Sequence, residues 1–229
     1  MKFIRLNIIV EGQTEERFVK GTLANHLGHL NISTDVRRVL TSKDKYKAYR
    51  GGLLSYAKAK KDIETWLKED QHPEARFTTM FDLYALPKDF PGYAEAQRIN
   101  DPYEKVAFLE QAMNDEIGDR RFFAYIQLHE FEALVLANAR NLEYEYLEHE
   151  QAITALEEMV EENGGNPELI NEGRNTAPSK RIIAKIPEYE GNKANVAPDV
   201  AALTGMEALR KACPHFDEWI RSCEALSTE

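Results

Sequence analysis

Phe3-Ile4-Arg5-Leu6-Asn7-Ile8-Ile9-Val10 (FIRLNIIV) is apolar and rich in β-branched residues, and it stops at Glu11-Gly12. A short run of this kind reads as a strand buried on both faces, the pattern of a central strand in a parallel sheet. Thr14 then opens a helix, with Glu15 and Glu16 in the first turn, where the helix dipole favours acids. Phe18, Leu23 and Leu27 supply its apolar face, and Gly28 is a natural stop.

Outward from this start, the same alternation repeats. Asp35–Leu40 reads as a second, shorter strand, and a polar loop with Gly51-Gly52 leads to a helix over 53–69. Arg76–Tyr84 (RFTTMFDLY) is a third strand carrying Asp82 near its end. Residues 87–102 hold three prolines and a glycine and read as loop. A helix over 103–117 and a fourth strand over 121–128 follow, and His129–Leu134 leads into a short helix. The order β-α-β-α-β-α-β predicts an α/β fold with a mostly parallel sheet. Beyond Asn138 the strand signals stop, and helices are expected at 150–163, 178–186, 198–204 and 206–225. The chain is read as an α/β core over 1–140 and a helical C-terminal part over 141–229, packed as one unit.

The 229 residues are 43% hydrophobic and 30% charged, enough for a real core. This excludes a coiled coil, a collagen-like chain or a disordered tail. No apolar run is long enough to cross a bilayer, so no membrane partner is expected. Two cysteines form neither a metal pattern nor a disulfide framework, and no secretory signal is visible, which places the expected location in the cytoplasm. The net charge of −10 would argue against a nucleic-acid partner, but its distribution matters. Residues 141–172 carry ten Glu and no Lys or Arg, so the rest of the chain is neutral overall. Between Arg37 and Lys61 nine basic residues, among them Arg37, Arg38, Lys43, Lys45 and Lys47, face one acid, Asp44. A local basic surface of this kind suits a phosphate backbone.

In an open parallel sheet, ligands bind beyond the carboxyl ends of the strands. Glu11 follows the first strand, Asp82 the third, and Glu130 and Glu132 the fourth. Acids at equivalent strand ends converge in space and repel one another unless a cation is present. Oxygen ligands of this type suit Mg²⁺ or Mn²⁺. Gly12 and Thr14 form a candidate backbone anion site at a helix start. A second candidate is Pro178-Ser179-Lys180-Arg181, a helix N-terminus whose basic first turn suits an anionic partner, with Lys180 placed to neutralise phosphate charge. His129 is read as structural, and Trp66 and Trp219 as packing residues. Tyr84, Tyr93, Tyr144 and Tyr146 are candidates for stacking on bases.

Val10-Glu11-Gly12-Gln13-Thr14-Glu15-Glu16, with Phe18, resembles the opening motif of Toprim domains, the topoisomerase–primase fold. Together with Phe81-Asp82-Leu83-Tyr84-Ala85-Leu86-Pro87, His129-Glu130-Phe131-Glu132-Ala133-Leu134 and Pro178-Ser179-Lys180-Arg181-Ile182, it resembles a Toprim-like bacterial family of unassigned function. That family is related to OLD-type nucleases and typically encoded beside AAA or SMC-like ATPases in mobile-element and phage-defence settings. The resemblance implies a Toprim-like, Rossmann-like sheet and Mg²⁺-dependent phosphodiester chemistry. Glu11 would be the first-strand glutamate and Asp82 the first acid of a D-x-D pair. Position 84 is Tyr, so the second acid is missing, and Glu130 and Glu132 are the candidates to replace it, with Lys180 as the basic group. The expected function is a Mg²⁺-dependent nuclease acting on nucleic acid. Two alternatives remain: a non-catalytic or conditional partner of an ATPase, docked through the acidic block, and a small-molecule phosphohydrolase. The choice between DNA and RNA, and any homo-oligomeric state, stay open.

Overall fold

The computed structural model describes residues 3–39, 53–170 and 176–228. Its centre is the strand β1 (Ile4–Val10), paired in parallel on one side with β2 (Ile32–Arg38) and on the other with β3 (Ala75–Asp82). Two short parallel strands, β4 (Phe122–Phe123) and β5 (Ile126–Gln127), complete the far side of β3, so the order is β2-β1-β3-β4 with β5 also beside β3. The α/β class and the parallel sheet expected from sequence are present.

The fourth strand departs from expectation, because it is interrupted at Ala124 and Tyr125. Thr79 Oγ1 takes the place of a ladder partner there, accepting from the Tyr125 N–H and donating to the Tyr125 carbonyl, each at 2.9 Å. The outer N–H groups are covered by the helix α5 (Pro102–Ile117). Asn114 accepts from Ala124 N–H at 2.7 Å and Glu110 from Ile126 N–H at 2.8 Å. Side chains thus close an edge that would otherwise present free backbone donors.

Each face of β1 is covered. Ile4, Leu6, Ile8 and Val10 point into one core, and Ile9 into the other, beside Phe77 and Phe81 of β3. The second core lies under α5 and α3 (Tyr56–Glu69) and includes Trp66. The first core begins with the helix that follows β1, built from α1 (Gln13–Phe18), a π-helical turn at Val19–Leu23 and α2 (Ala24–Gly28). A short helix α4 (Tyr93–Ala96) lies inside the stretch read as loop. Near the sheet follow α6 (Glu132–Leu136), α7 (Glu150–Glu162) and α8 (Pro178–Lys185).

The C-terminal part differs from expectation in two boundaries. Helix α9 (Tyr189–Thr204) starts nine residues before the expected 198, and Pro198 lies inside it. The expected helix 206–225 is two, α10 (Met206–Ala212) and α11 (Pro214–Ala225), because Pro214 ends one and starts the next. Residues of these helices belong to the same core as β1: Phe216, Trp219 and Ile220 pack with Ile4, Leu6 and Phe18. Trp219 stacks on Tyr125, with centroids 4.3 Å apart, and donates to Thr78 Oγ1 at 3.0 Å. Glu168, one of the ten acids of the Glu-rich block, is fully buried and accepts from the His215 and Phe216 N–H groups at the start of α11. It is a helix cap rather than part of a solvated face.

Because one core crosses residue 140, the chain should unfold in a single cooperative transition by both circular dichroism and tryptophan fluorescence. Trp219→Ala should remove about 3–5 kcal/mol of stability in denaturant titration. Two separated transitions in the wild type would show instead that the C-terminal part folds alone.

Candidate functional site

The carboxyl edge of the sheet carries the acids. The β1–β3 ladder ends at Val10 and Met80. Glu11 extends it one step through its side chain, accepting the Asp82 N–H on Oε1 at 2.9 Å. Asp82 ends β3 and has a buried Oδ1 with no hydrogen-bond partner. Glu15, in the first turn of α1, is only 6% exposed and reaches back to accept the Gly12 N–H at 2.9 Å. Glu132, at the start of α6, is 2% exposed, and Glu130 precedes it by two residues.

These groups feel one another. Burial raises Glu11 to about 8, and the Glu15 charge adds to that. Burial likewise raises Glu15 to about 7, with Glu132 contributing. Asp82 is pushed well above the usual carboxylate range by burial, then by Glu15, Glu11, Glu132 and Glu130. Glu132 is raised by burial, against the opposing pull of Lys193.

Lys193 is the cation of the cluster, and it was not anticipated from sequence. Its Nζ lies 3.3 Å from Glu132 Oε1, which also accepts from the Tyr189 hydroxyl at 3.3 Å. Desolvation would lower its pKa, but Glu132, Glu130 and Asp82 hold it above the ordinary lysine value. It reaches the acids because α9 is clamped beside α1. Arg17 donates to the Ala194 carbonyl at 3.2 Å and Asn195 Oδ1 at 2.9 Å, and pairs with Asp199 at 3.1 Å. The only hint in the sequence is the single lysine of α9, a feature too common to single out.

Other expected site residues are placed differently. The Ser179 N–H donates to Glu130 Oε2 at 3.0 Å, so the start of α8 already holds a carboxylate of this chain. Ser179 itself is buried, while Lys180 is exposed. Arg181 donates to the Thr176 carbonyl at 3.0 Å. The Gly12 N–H, read as an anion donor together with Thr14, is used by Glu15. Arg37 pairs with Glu69 at 2.5 Å and lies 4.2 Å over the Trp66 ring, and Arg38 pairs with Glu16 at 2.9 Å. Both sit on the edge strand β2, and their charges are partly matched by protein acids. Lys43, Lys45 and Lys47 lie outside the described residues. His129 is fully buried at φ 63°, pushed down to about 4 by burial, and neither ring nitrogen has a hydrogen-bond partner.

The donor set fits a hard divalent cation in its chemistry. Its ligands would be carboxylate oxygens, Asp82 Oδ1 lacks a partner, and the raised pKa values record charge that this edge cannot hold unaided. Among the described residues, no three His, Cys, Asp or Glu side chains already stand in a grouping that could hold an ion. Binding would therefore require the carboxylates to turn toward one another.

Residues 10–224 match the family model described as a domain of unknown function, DUF4276. The chain belongs to this family. The DUF4276 chain is also similar to two solved structures of the C-terminal region of the Xanthomonas campestris pv. campestris OLD protein. One is 16% identical, covering 96% of this chain and 95% of that one at a TM-score of 0.40. The other is 17% identical, covering 100% and 99% at 0.41. No curated protein matches the chain. Among the described residues, no helix is long and apolar enough to cross a membrane.

A carboxylate whose folded pKa is raised holds its proton more tightly in the folded state. Its contribution is complete below the unfolded value near 4.5 and is lost as pH rises through about 7 to 8. In chelator-treated buffer, melting temperature should therefore fall between pH 5 and pH 8, and Glu11→Gln should flatten that fall. Added Mg²⁺ or Mn²⁺ should raise it more at pH 8 than at pH 6. A cation effect equal in the wild type and Asp82→Asn would argue against binding at these acids.

Proposed function

We propose that this DUF4276 chain is a Mg²⁺- or Mn²⁺-dependent phosphodiesterase acting on nucleic acid. The observation that carries the reading is the convergence of Glu11, Glu15, Asp82 and Glu132 at one sheet edge, with pKa values raised by burial and mutual repulsion. Glu11, Asp82 and Glu132 would hold the cation, with Glu130 beside them. When bound, such an ion polarises a phosphoryl oxygen and makes water more acidic.

The chain's own residues supply the rest. Glu15 sits near 7, the value at which a carboxylate exchanges protons most usefully with an attacking water or a leaving alkoxide at neutral pH. Lys193 is, among the described residues, the ammonium paired with these acids and would neutralise developing phosphate charge, the role first assigned to Lys180. Its pairing with Glu132 would be exchanged for a phosphate oxygen when substrate enters. Arg38, at the carboxyl end of β2, and the basic residues Lys43, Lys45 and Lys47 would steer the strand toward this edge. The mobile-element or phage-defence setting and an AAA or SMC-like ATPase partner belong to the same proposal and rest on the family resemblance. The Lys193–Glu132 pair favours one second reading, a self-neutralised site that works only when such a partner displaces the lysine.

Plasmid DNA and single-stranded RNA incubated with Mg²⁺ or Mn²⁺ should be cleaved by the wild type. Glu11→Gln keeps the acceptor for the Asp82 N–H, so it and Asp82→Asn should abolish cleavage with the fold intact. Lys193→Ala should slow cleavage about a hundredfold, and Lys180→Ala much less. Undiminished cleavage by both acid variants would sink the assignment. If the wild type cleaves only with its ATPase present, the second reading replaces the first.

A further inference from the structure

Beside the acid cluster lies a cavity of about 410 Å³ lined by Tyr84, Tyr93, Gln97, Asn100, Lys105 and His129, together with several leucines. Its wall reaches toward the site, since the hydroxyl of the lining residue Tyr84 feels the Glu130 charge. The Tyr84 N–H donates to the His129 carbonyl at 3.1 Å, which ties the two segments together. We propose that this cavity receives a nucleobase of the strand whose phosphodiester meets the acids, an inference that rests on the phosphodiesterase reading above.

Three features of the lining select this ligand. The volume lies within the roughly 300–1,000 Å³ of small-molecule sites. Two tyrosine rings with apolar neighbours offer stacking surface, and stacking accepts any base because every base has a π-face. The polar groups suit a base edge. The exposed Gln97 and Asn100 supply the polar groups of the lining. A side-chain amide presents both a donor and an acceptor, as the edge of a base does. Among the described residues no carboxylate lines the cavity, which disfavours an amine, and Lys105 adds a cation suited to the phosphates flanking a base.

The test uses the full chain carrying Glu11→Gln, so that binding is measured without cleavage. Fluorescence anisotropy compares a labelled single-stranded oligonucleotide with a phosphodiester strand of equal length that lacks bases, with adenosine monophosphate as competitor. The strand with bases should bind about tenfold or more tightly, and Tyr93→Ala should bring it to the level of the abasic strand without weakening the latter. Asn100→Ala, at an exposed lining residue, should act in the same direction. Equal affinity for the two strands, no binding of either, or equal weakening of both by Tyr93→Ala would overturn the proposal. Adenosine monophosphate binding as tightly as the oligonucleotide would overturn the strand in favour of free nucleotides. Wild-type cleavage scored separately distinguishes the two readings. Equal cleavage of both strands refutes the cavity alone, and base-dependent binding with no cleavage by the wild type refutes the phosphodiesterase alone.

Discussion

A strand buried on both faces is the constraint on which this structure depends. Leu6, Ile8 and Val10 point into one core and Ile9 into the other, so β1 is stable only if both sides are covered. Helices α3 and α5 cover one side. On the other, α1 and α6 are joined by the C-terminal helices, whose Phe216 meets Phe18 at 6.0 Å in an edge-on contact. The C-terminal part is therefore not an appendage. Its contribution to the core also carries Lys193 to the sheet edge, so hydrophobic cover and the charge balance of the site come from one packing event.

The site edge is a place where local economy and function compete. Glu11 extends the ladder, Glu15 closes the start of α1, and Glu130 caps α8. Each acid has a structural task that would justify it alone. What no structural task explains is their number in so small a volume. Asp82 keeps an unpartnered oxygen, and burial costs Glu11, Glu15 and Asp82 their ordinary ionisation. Strain of this electrostatic kind is typical of sites that await an opposite charge.

The basic side chains near the edge are less free than their sequence spacing suggests. Arg37 and Arg38 lie in the edge strand β2, and each finds a carboxylate on a neighbouring helix, Glu69 of α3 and Glu16 of α1. Arg140, immediately before the acidic stretch, draws in Glu143 and Glu157 from it. Exposed pairs of this sort contribute little stability and exchange easily with other anions.

The sequence by itself determined the parallel α/β core and the position of Glu11, Asp82, Glu130 and Glu132 at one edge. A buried parallel strand has a composition that survives any context, and the chain direction dictates which end of it bears the ligand. It also placed Trp66 and Trp219 in cores, because large apolar surfaces on helical faces have few other uses. The break in the fourth strand was not legible, since it depends on Thr79, Asn114 and Glu110 arriving from elsewhere to replace ladder partners. Lys193 and Glu15 as members of the site, Glu130 as the cap of α8 and the burial of Glu168 were decided only by tertiary structure. A side chain's charge is written in the sequence, but the neighbours and the solvent that set its energy are assembled only by the fold.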